Sequence, residues 1–250
     1  MANGVVWAEK MKAFLIDIEG TTAPISFVHE VLFPFARNKM ASFIETYEID
    51  LHEFTEIKHE FERDIAKADP EFLKIFPKMV SFSKKEISTY LCYLIDVDRK
   101  FSPLKAIQGK IWKEGYEQGV LKSILFSDLP EFLKNAKEKG ILSYVYSSGS
   151  VQAQILIYKY SNFGDLTGFF TDYFDTSMGG KKEVQSYLNI AHHLNLDPGE
   201  IVFFTDIVEE GIAAKGAGME AIILDRPGNI EQPAHDFKTL KDLLSFFRFG

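Results

Sequence analysis

The stretch "IVFFTDIVEEGIAAKGAGMEAIILD", residues 201–225, decides the fold. Two apolar runs, "IVFFTD" (201–206) and "AIILD" (221–225), read as buried strands. Between them "EEGIAAKGAG" (209–218) reads as a helix that closes on glycines. Strand, helix, strand in this order means a parallel sheet covered by helices on both faces. Upstream, "ILSYVYSSG" (141–149) is a further strand and "EVQSYLNIAHHL" (183–194) a further helix. "SDLPEFLKNAKEKG" (127–140) reads as a helix with Ser127 or Asp128 as cap, Pro130 in the first turn and Gly140 past the end. "FLIDIEGTT" (14–22) supplies a strand over 13–17 of the same sheet, more than a hundred residues away.

What separates them is helical. In "LHEFTEIKHEFERDI", Leu51, Phe54, Ile57, Phe61 and Ile65 recur at three- and four-residue steps, and "ISTYLCYLI" and "LKAIQGKIWKEGY" share the period. The expected organisation is an α/β doubly wound parallel sheet over residues 1–27 and 126–250, with a helical cap, 28–125, inserted after the first strand. Length allows this: 250 residues with 46% apolar content suit one large domain, or one domain carrying a smaller insertion.

A net charge of −8 argues against a nucleic-acid partner, since such proteins concentrate Lys and Arg. No apolar run is long enough to span a membrane, and the start "MANGVVWAEKMKAF" lacks the apolar core of a signal peptide. The single cysteine, Cys92, excludes an internal disulfide and a thiolate zinc site. A cytoplasmic protein is expected, with the nucleus open if the source is eukaryotic, and no membrane partner.

In a parallel sheet, ligands bind beyond the carboxyl ends of the strands. Asp17, the pair Ser147 and Ser148, and Asp206 all fall there. Either acid alone reads equally well as a cap for the next turn. Two strand-end carboxylates on one rim, however, repel unless a cation joins them. Oxygen ligands with no His or Cys nearby point to magnesium, which pairs with phosphate. Gly20 permits a tight turn after Asp17, and Thr21 and Thr22 offer hydroxyls and amides. Ser147, Ser148 and the amides around Gly149 can cradle phosphate oxygens, with Lys181 or Lys182 adding positive charge. His192 and His193 sit mid-helix and read as structural, whereas His29 is a candidate for the site entrance. Packing explains the 23 Phe as well as any apolar ligand does.

The stretches "LIDIEGTTAPISFVHEVLFPF", "DRK", "AIQGKIW", "YVYSSGSVQAQ", "FDTSMGGKKEVQSY", "FFTDIVEE" and "DRPGN", spanning about residues 13–229, resemble the haloacid-dehalogenase-like phosphatases. Within them the chain is most similar to the bifunctional enolase-phosphatase (acireductone synthase) family of methionine salvage. The acid at Glu19 carries most of that likeness, because most of the superfamily has Asp there. The resemblance implies a haloacid-dehalogenase-like, Rossmann-like core and an aspartyl-phosphate formed on Asp17. It implies one Mg2+ per subunit, held by Asp17, the Glu19 carbonyl and Asp206. Ser147, Ser148 and Lys181 would bind the substrate phosphate, with Lys181 also steadying charge. Glu19 would act as acid and base. The implied substrate is a small phosphorylated diketone, 2,3-diketo-5-methylthiopentyl-1-phosphate, which is enolised and then dephosphorylated. The helical cap would close over the site, and a monomer is expected. Lys181 is preferred to Lys182 because Gly179 and Glu183 flank it in the pattern Gly–x–Lys–x–Glu. Glu210, where many relatives keep a second Asp, ranks below Asp206, as do Thr21, Gly149 and His29. Two other readings stay open: a phosphatase of the same superfamily for another small phosphate ester, and a phospho-accepting signalling receiver.

Overall fold

The computed structural model describes residues 10–77 and 82–249. The described residues form two compact units: those within Val31–Gly115, and those up to Glu30 together with those from Tyr116 onward.

The second of these is built on a sheet of six parallel strands: β1 (Ala13–Ile16), β2 (Leu142–Tyr146), β3 (Phe170–Phe174), β4 (Ile201–Thr205), β5 (Glu220–Leu224) and β6 (Lys238–Leu240). Their order across the sheet is β3-β2-β1-β4-β5-β6, the doubly wound arrangement the sequence predicts. Chain direction across the sheet reverses between β1 and β4, so a crevice opens at their carboxyl ends. Register sharpens this: Ile16 lies opposite both Val145 and Phe204, and the Asp17 amide donates to the Phe204 carbonyl at 2.9 Å. Asp17, Ser147 and Asp206 therefore leave neighbouring strands at one edge.

Side chains alternate between the faces, as strand geometry demands. Leu15, Tyr146 and Phe203 pack with Tyr187 and Ile190 of the helix Val184–Leu194. On the other face Phe14 stacks on Phe132 at 5.1 Å and meets Phe204 edge-on at 5.3 Å. Each such buried ring contributes roughly 1.5–3 kcal/mol. Two strands were not anticipated. β3 and β6 form the sheet's edges, bury less of each residue, and so lack a continuous apolar run.

The helical unit contains α1 (Phe33–Thr46), α2 (Leu51–Ala66), α3 (Pro70–Ile75), α4 (Lys84–Asp96) and most of α5 (Ser102–Glu117). The starts of α2, α3 and α4 are capped by the side chains of Asp50, Asp69 and Ser83. The expected apolar stripe of α2 is shorter than its period suggests. Ile57 and Phe61 are buried, but Leu51 is 82% exposed and Ile65 lies at the surface. Between them Glu60 and Asp64 are buried, both paired with Arg99 of the "DRK" segment, and Asp64 also accepts from the Tyr90 hydroxyl. The Phe-rich segments fill this unit's own core, where Phe61, Phe72, Phe76 and Tyr90 interlock at 4.8–6.2 Å.

The boundaries differ from those expected. Residues 28–30 and 116–125, read as part of the insertion, belong with the sheet unit. Tyr116 stacks on Tyr160 at 5.4 Å and shares a hydrogen bond with Ser123, whose amide donates to the Tyr160 carbonyl. The cap assigned to Asp128 also changes. Its carboxylate does not bond the start of the helix Leu129–Glu138 and turns instead to Arg226 and the Leu243 amide.

Candidate active site

β1 ends in a turn whose backbone is closed on itself. The Ile18 carbonyl accepts from the amides of Thr21, Thr22 and Ala23, and the Gly20 amide donates to Ala23. This requires φ +65° at Gly20, the left-handed region glycine favours. A Cβ there would also lie 2.1 Å from Asp206 Oδ2, so only glycine lets the β1 turn approach the acid at the end of β4.

Asp17 is 4% exposed. Its Oδ1 accepts from the Ile18 amide at 2.8 Å and from Lys181 Nζ at 2.7 Å. Among the described residues its Oδ2 has no hydrogen-bond partner. Lys181 reaches across from the loop after β3 and also contacts Glu210 Oε2 at 2.8 Å; that oxygen accepts from Thr205 Oγ1 at 2.7 Å. Through Oε2, Glu210 thus anchors the lysine. Lys182 points outward, 65% exposed, toward Glu209 at 3.9 Å, so the two lysines have separate environments.

Lys181 faces inward because its loop is pinned at three successive carbonyls. Tyr146 Oη donates to Gly179, Ser186 Oγ to Gly180, and Tyr187 Oη to Lys181 itself at 2.6 Å. Tyr187 is fully buried. Tyr187→Phe is expected to lower unfolding free energy by about 1 kcal/mol in urea titration, the usual net worth of one such bond. A severalfold loss of phosphatase turnover should accompany it, as Lys181 loses an anchor.

The electrostatics follow from burial. Burial pushes the Asp17 carboxyl well above its usual range; Lys181 opposes this, while Glu210 and Asp206 reinforce it. Asp206 is pushed up to about 7 by burial, with Glu210 and Glu19 adding to the rise and Lys181 resisting it. Burial works against the charge of Lys181, but Asp17 and Glu210 outweigh it and hold the lysine pKa above its usual value. One ammonium does not balance these acids.

These groups open on a cavity of about 360 Å³ lined by Asp17, Glu19, Ser147, Ser148, Lys181, Asp206 and Glu210, with His29 and Lys182 at its wall. Of the remaining expected residues, neither Thr21 nor Gly149 lines it. Thr21 is fully buried, and the Gly149 amide, expected to cradle phosphate, donates to Ser147 Oγ at 3.3 Å. As an acceptor in that bond, Ser147 keeps its own proton to donate. Thr176, Ile25, Ile207 and Ile230 also line the cavity and were not anticipated. Ile25, Thr176 and Ile207 lie inside the quoted motifs and Ile230 directly follows one, but three are aliphatic and a lone Thr carries no signal of its own. His192 and His193 are exposed, and they lie in the last turn of their helix rather than mid-helix.

The donor set can be tested against magnesium. Among the described residues, no three His, Cys, Asp or Glu side chains converge to enclose a metal by themselves. Besides the strand-end carboxylates Asp17 and Asp206, the turn after β1 offers one backbone oxygen. Every other carbonyl from Asp17 to Ala23 accepts a hydrogen bond, whereas that of Glu19 has no partner among the described residues. Few protein oxygens, all hard, beside room for water and a phosphate fit Mg2+, which keeps several waters.

A doubly wound parallel sheet with acids after β1 and β4 and a buried lysine between them defines a class of hydrolase. Residues 11–218 match the haloacid dehalogenase-like hydrolases. The chain is 50% identical over 240 residues to enolase-phosphatase E1 of Leptospira biflexa, covering 91% of this chain and 97% of that protein. It is 47% identical over 219 residues to enolase-phosphatase E1 of Drosophila pseudoobscura, covering 87% and 86%. The crystal structure of the UTR4 protein of Saccharomyces cerevisiae matches with a TM-score of 0.73 at 31% identity, covering 93% of this chain and 98% of that one. That of CbbY from Rhodobacter sphaeroides in complex with phosphate, at 19% identity and a TM-score of 0.54, shares the fold. The chain belongs to the enolase-phosphatase family of the haloacid dehalogenase-like hydrolases.

Proposed function

We propose that the chain is a Mg2+-dependent enolase-phosphatase of methionine salvage, converting 2,3-diketo-5-methylthiopentyl-1-phosphate to the acireductone and phosphate. The observation that carries the phosphatase half is Asp17. One of its oxygens is pinned by Lys181 and the Ile18 amide, the other has no hydrogen-bond partner among the described residues, and the residue lines the cavity. The enolase half rests on the named relatives.

In this reading the Asp17 carboxylate attacks phosphorus, and the ester P–O bond breaks as an aspartyl-phosphate forms. Glu19, which lines the cavity, gives its proton to the leaving oxygen. It then takes one from the water that hydrolyses the aspartyl-phosphate. Lys181 and the Ser147 hydroxyl hold the phosphoryl oxygens, and Ser148 adds a contact from the cavity wall. Before the attack Asp17 and Glu210 hold Lys181 in its charged form; once Asp17 is phosphorylated, Glu210 and the phosphoryl oxygens are the anions beside it. One Mg2+, held by a carboxylate oxygen of Asp17, the Glu19 carbonyl and Asp206, would offset repulsion between the nucleophile and the phosphate dianion and acidify the C–H beside a bound carbonyl. No membrane-crossing helix occurs among the described residues. A monomer in the cytoplasm fits this role.

The test is turnover of the diketone phosphate with Mg2+ and with EDTA, following enediol absorbance and phosphate together. Both signals should appear with Mg2+ and vanish with EDTA. Phosphate without enediol would reduce the function to a phosphatase for another small ester. A single, slowly decaying phosphorylation without turnover would make the chain a receiver.

A further inference from the structure

The "DRPGN" segment takes no part in the reaction as derived above, and neither Arg226 nor Asn229 lines the cavity. Both nevertheless reach the turn that carries the chemistry. Arg226, 4% exposed, donates from Nε and Nη2 to the Thr21 carbonyl at 3.1 and 2.9 Å. The same guanidinium is locked by a two-point pair with Asp128, at 2.8 and 2.9 Å, and lies over the Phe126 ring at 4.3 Å. Asn229 Nδ2 donates to the Gly20 carbonyl at 2.9 Å and to the Leu224 carbonyl at 3.0 Å, which ties the turn to the end of β5. Asn229 Oδ1 is buried without a hydrogen-bond partner, a cost accepted so that the NH2 can serve both carbonyls.

We propose that Arg226 and Asn229 are positioning residues. They clamp the Gly20–Thr21 carbonyls so that, in this turn, the Glu19 carbonyl alone is left to face the site beside Asp17 and Asp206. The clamp is needed because Gly20 is the turn's soft joint, a residue with little intrinsic preference between backbone conformations. With those two carbonyls released, the peptides around Gly20 can rotate, and both the Glu19 oxygen and the Asp17 carboxylate lose their aim. Partners one step behind a ligand set are typically worth about 10–100-fold in metal affinity or rate. The inference rests on the magnesium-dependent reading above, and its test separates the two.

The experiment measures kcat and KM for phosphate release alongside the Mg2+ dependence of the melting temperature, which needs no turnover. Asn229→Ala should lower kcat about tenfold or more with KM changed by less than about threefold, and should raise the Mg2+ concentration at half-maximal thermal shift about tenfold. Its metal-free melting temperature should stay within a few degrees of wild type. Arg226→Met alone strands Asp128 in the interior and invites misfolding. The double variant Arg226→Met, Asp128→Asn removes both charges and should show the same kcat and Mg2+ effects. If both variants lose only melting temperature, with kcat per folded molecule and the Mg2+ midpoint unchanged, the clamp is structural and the proposal is overturned. A wild type that turns over no phosphate ester sinks the proposed function, while the Mg2+ midpoints still decide the clamp. A wild type whose melting temperature ignores Mg2+ overturns the clamp as stated.

Discussion

Asp17→Asn is expected to abolish phosphate release, lowering kcat by about four orders of magnitude or more, while the protein folds as well as wild type. The two halves have separate physical reasons. An amide has no anionic oxygen to attack phosphorus, and removing a covalent nucleophile costs losses on this scale elsewhere. Stability should not suffer, because folding disfavours the Asp17 charge: burial and the acids Glu210 and Asp206 together outweigh Lys181. An asparagine Oδ1 can still accept from the Ile18 amide and from Lys181, which also keeps Glu210. The metal-free variant should therefore melt at or above the wild-type temperature near neutral pH. Acid-quenched wild-type enzyme should carry one phosphoryl group by mass, and the variant none. A variant retaining more than about one hundredth of the wild-type rate would place the nucleophile elsewhere.

The parts of the site that the sequence made visible are those where chemistry follows an apolar run. β1, β2, β4 and β5 are buried strands, and Asp17, Ser147 and Asp206 end three of them in neighbouring positions. The edge strands escaped because exposure on one side breaks the run; "FTDYF" of β3 carries Thr171 and Asp172 where a central strand carries apolar groups. The supports of the site escaped for a different reason. Arg226 and Asp128 are 98 positions apart, and no period or spacing links them. Taken alone, Asp128 before a Pro-containing helix reads as a cap, and only the fold shows it spent on Arg226 and Leu243. Glu210 is similar. Its place in the motif ranks it below Asp206, but the lysine contact at 2.8 Å depends on the loop after β3 meeting the first turn of the helix Val208–Gly216. Local pattern identifies groups that meet the ligand, whereas the groups that hold them are chosen by tertiary contact.

Lys181→Met carries the second large effect, and its pH dependence distinguishes it from a simple loss of packing. The substitution keeps an unbranched side chain, one atom shorter, but leaves Asp17 and Glu210 buried without their cation. Breaking one partner out of a buried pair typically costs about 3–5 kcal/mol. That penalty exists only while the carboxylates are ionised. Asp17 and Asp206 already have folded pKa values above their ordinary ones, and loss of the lysine, which lowers both, raises them further. A carboxylate raised in this way contributes stability that is fully present below its unfolded pKa, near 4, and lost as pH rises through its folded value. For Asp206 in the metal-free wild type that window runs from about 4 to about 7. In Lys181→Met it should extend upward. The variant should thus lie closest to wild type in denaturant unfolding near pH 4–5 and fall furthest behind above pH 7, where Mg2+ should restore part of the difference. Its kcat should drop by about a thousandfold, since a charge aimed at the transferring phosphoryl group is gone. Lys182→Met, at an exposed position 3.9 Å from Glu209, should change stability by less than about 0.5 kcal/mol. Equal losses in the two variants, or a Lys181→Met deficit that does not grow with pH, would mean that the buried lysine is not what balances these acids.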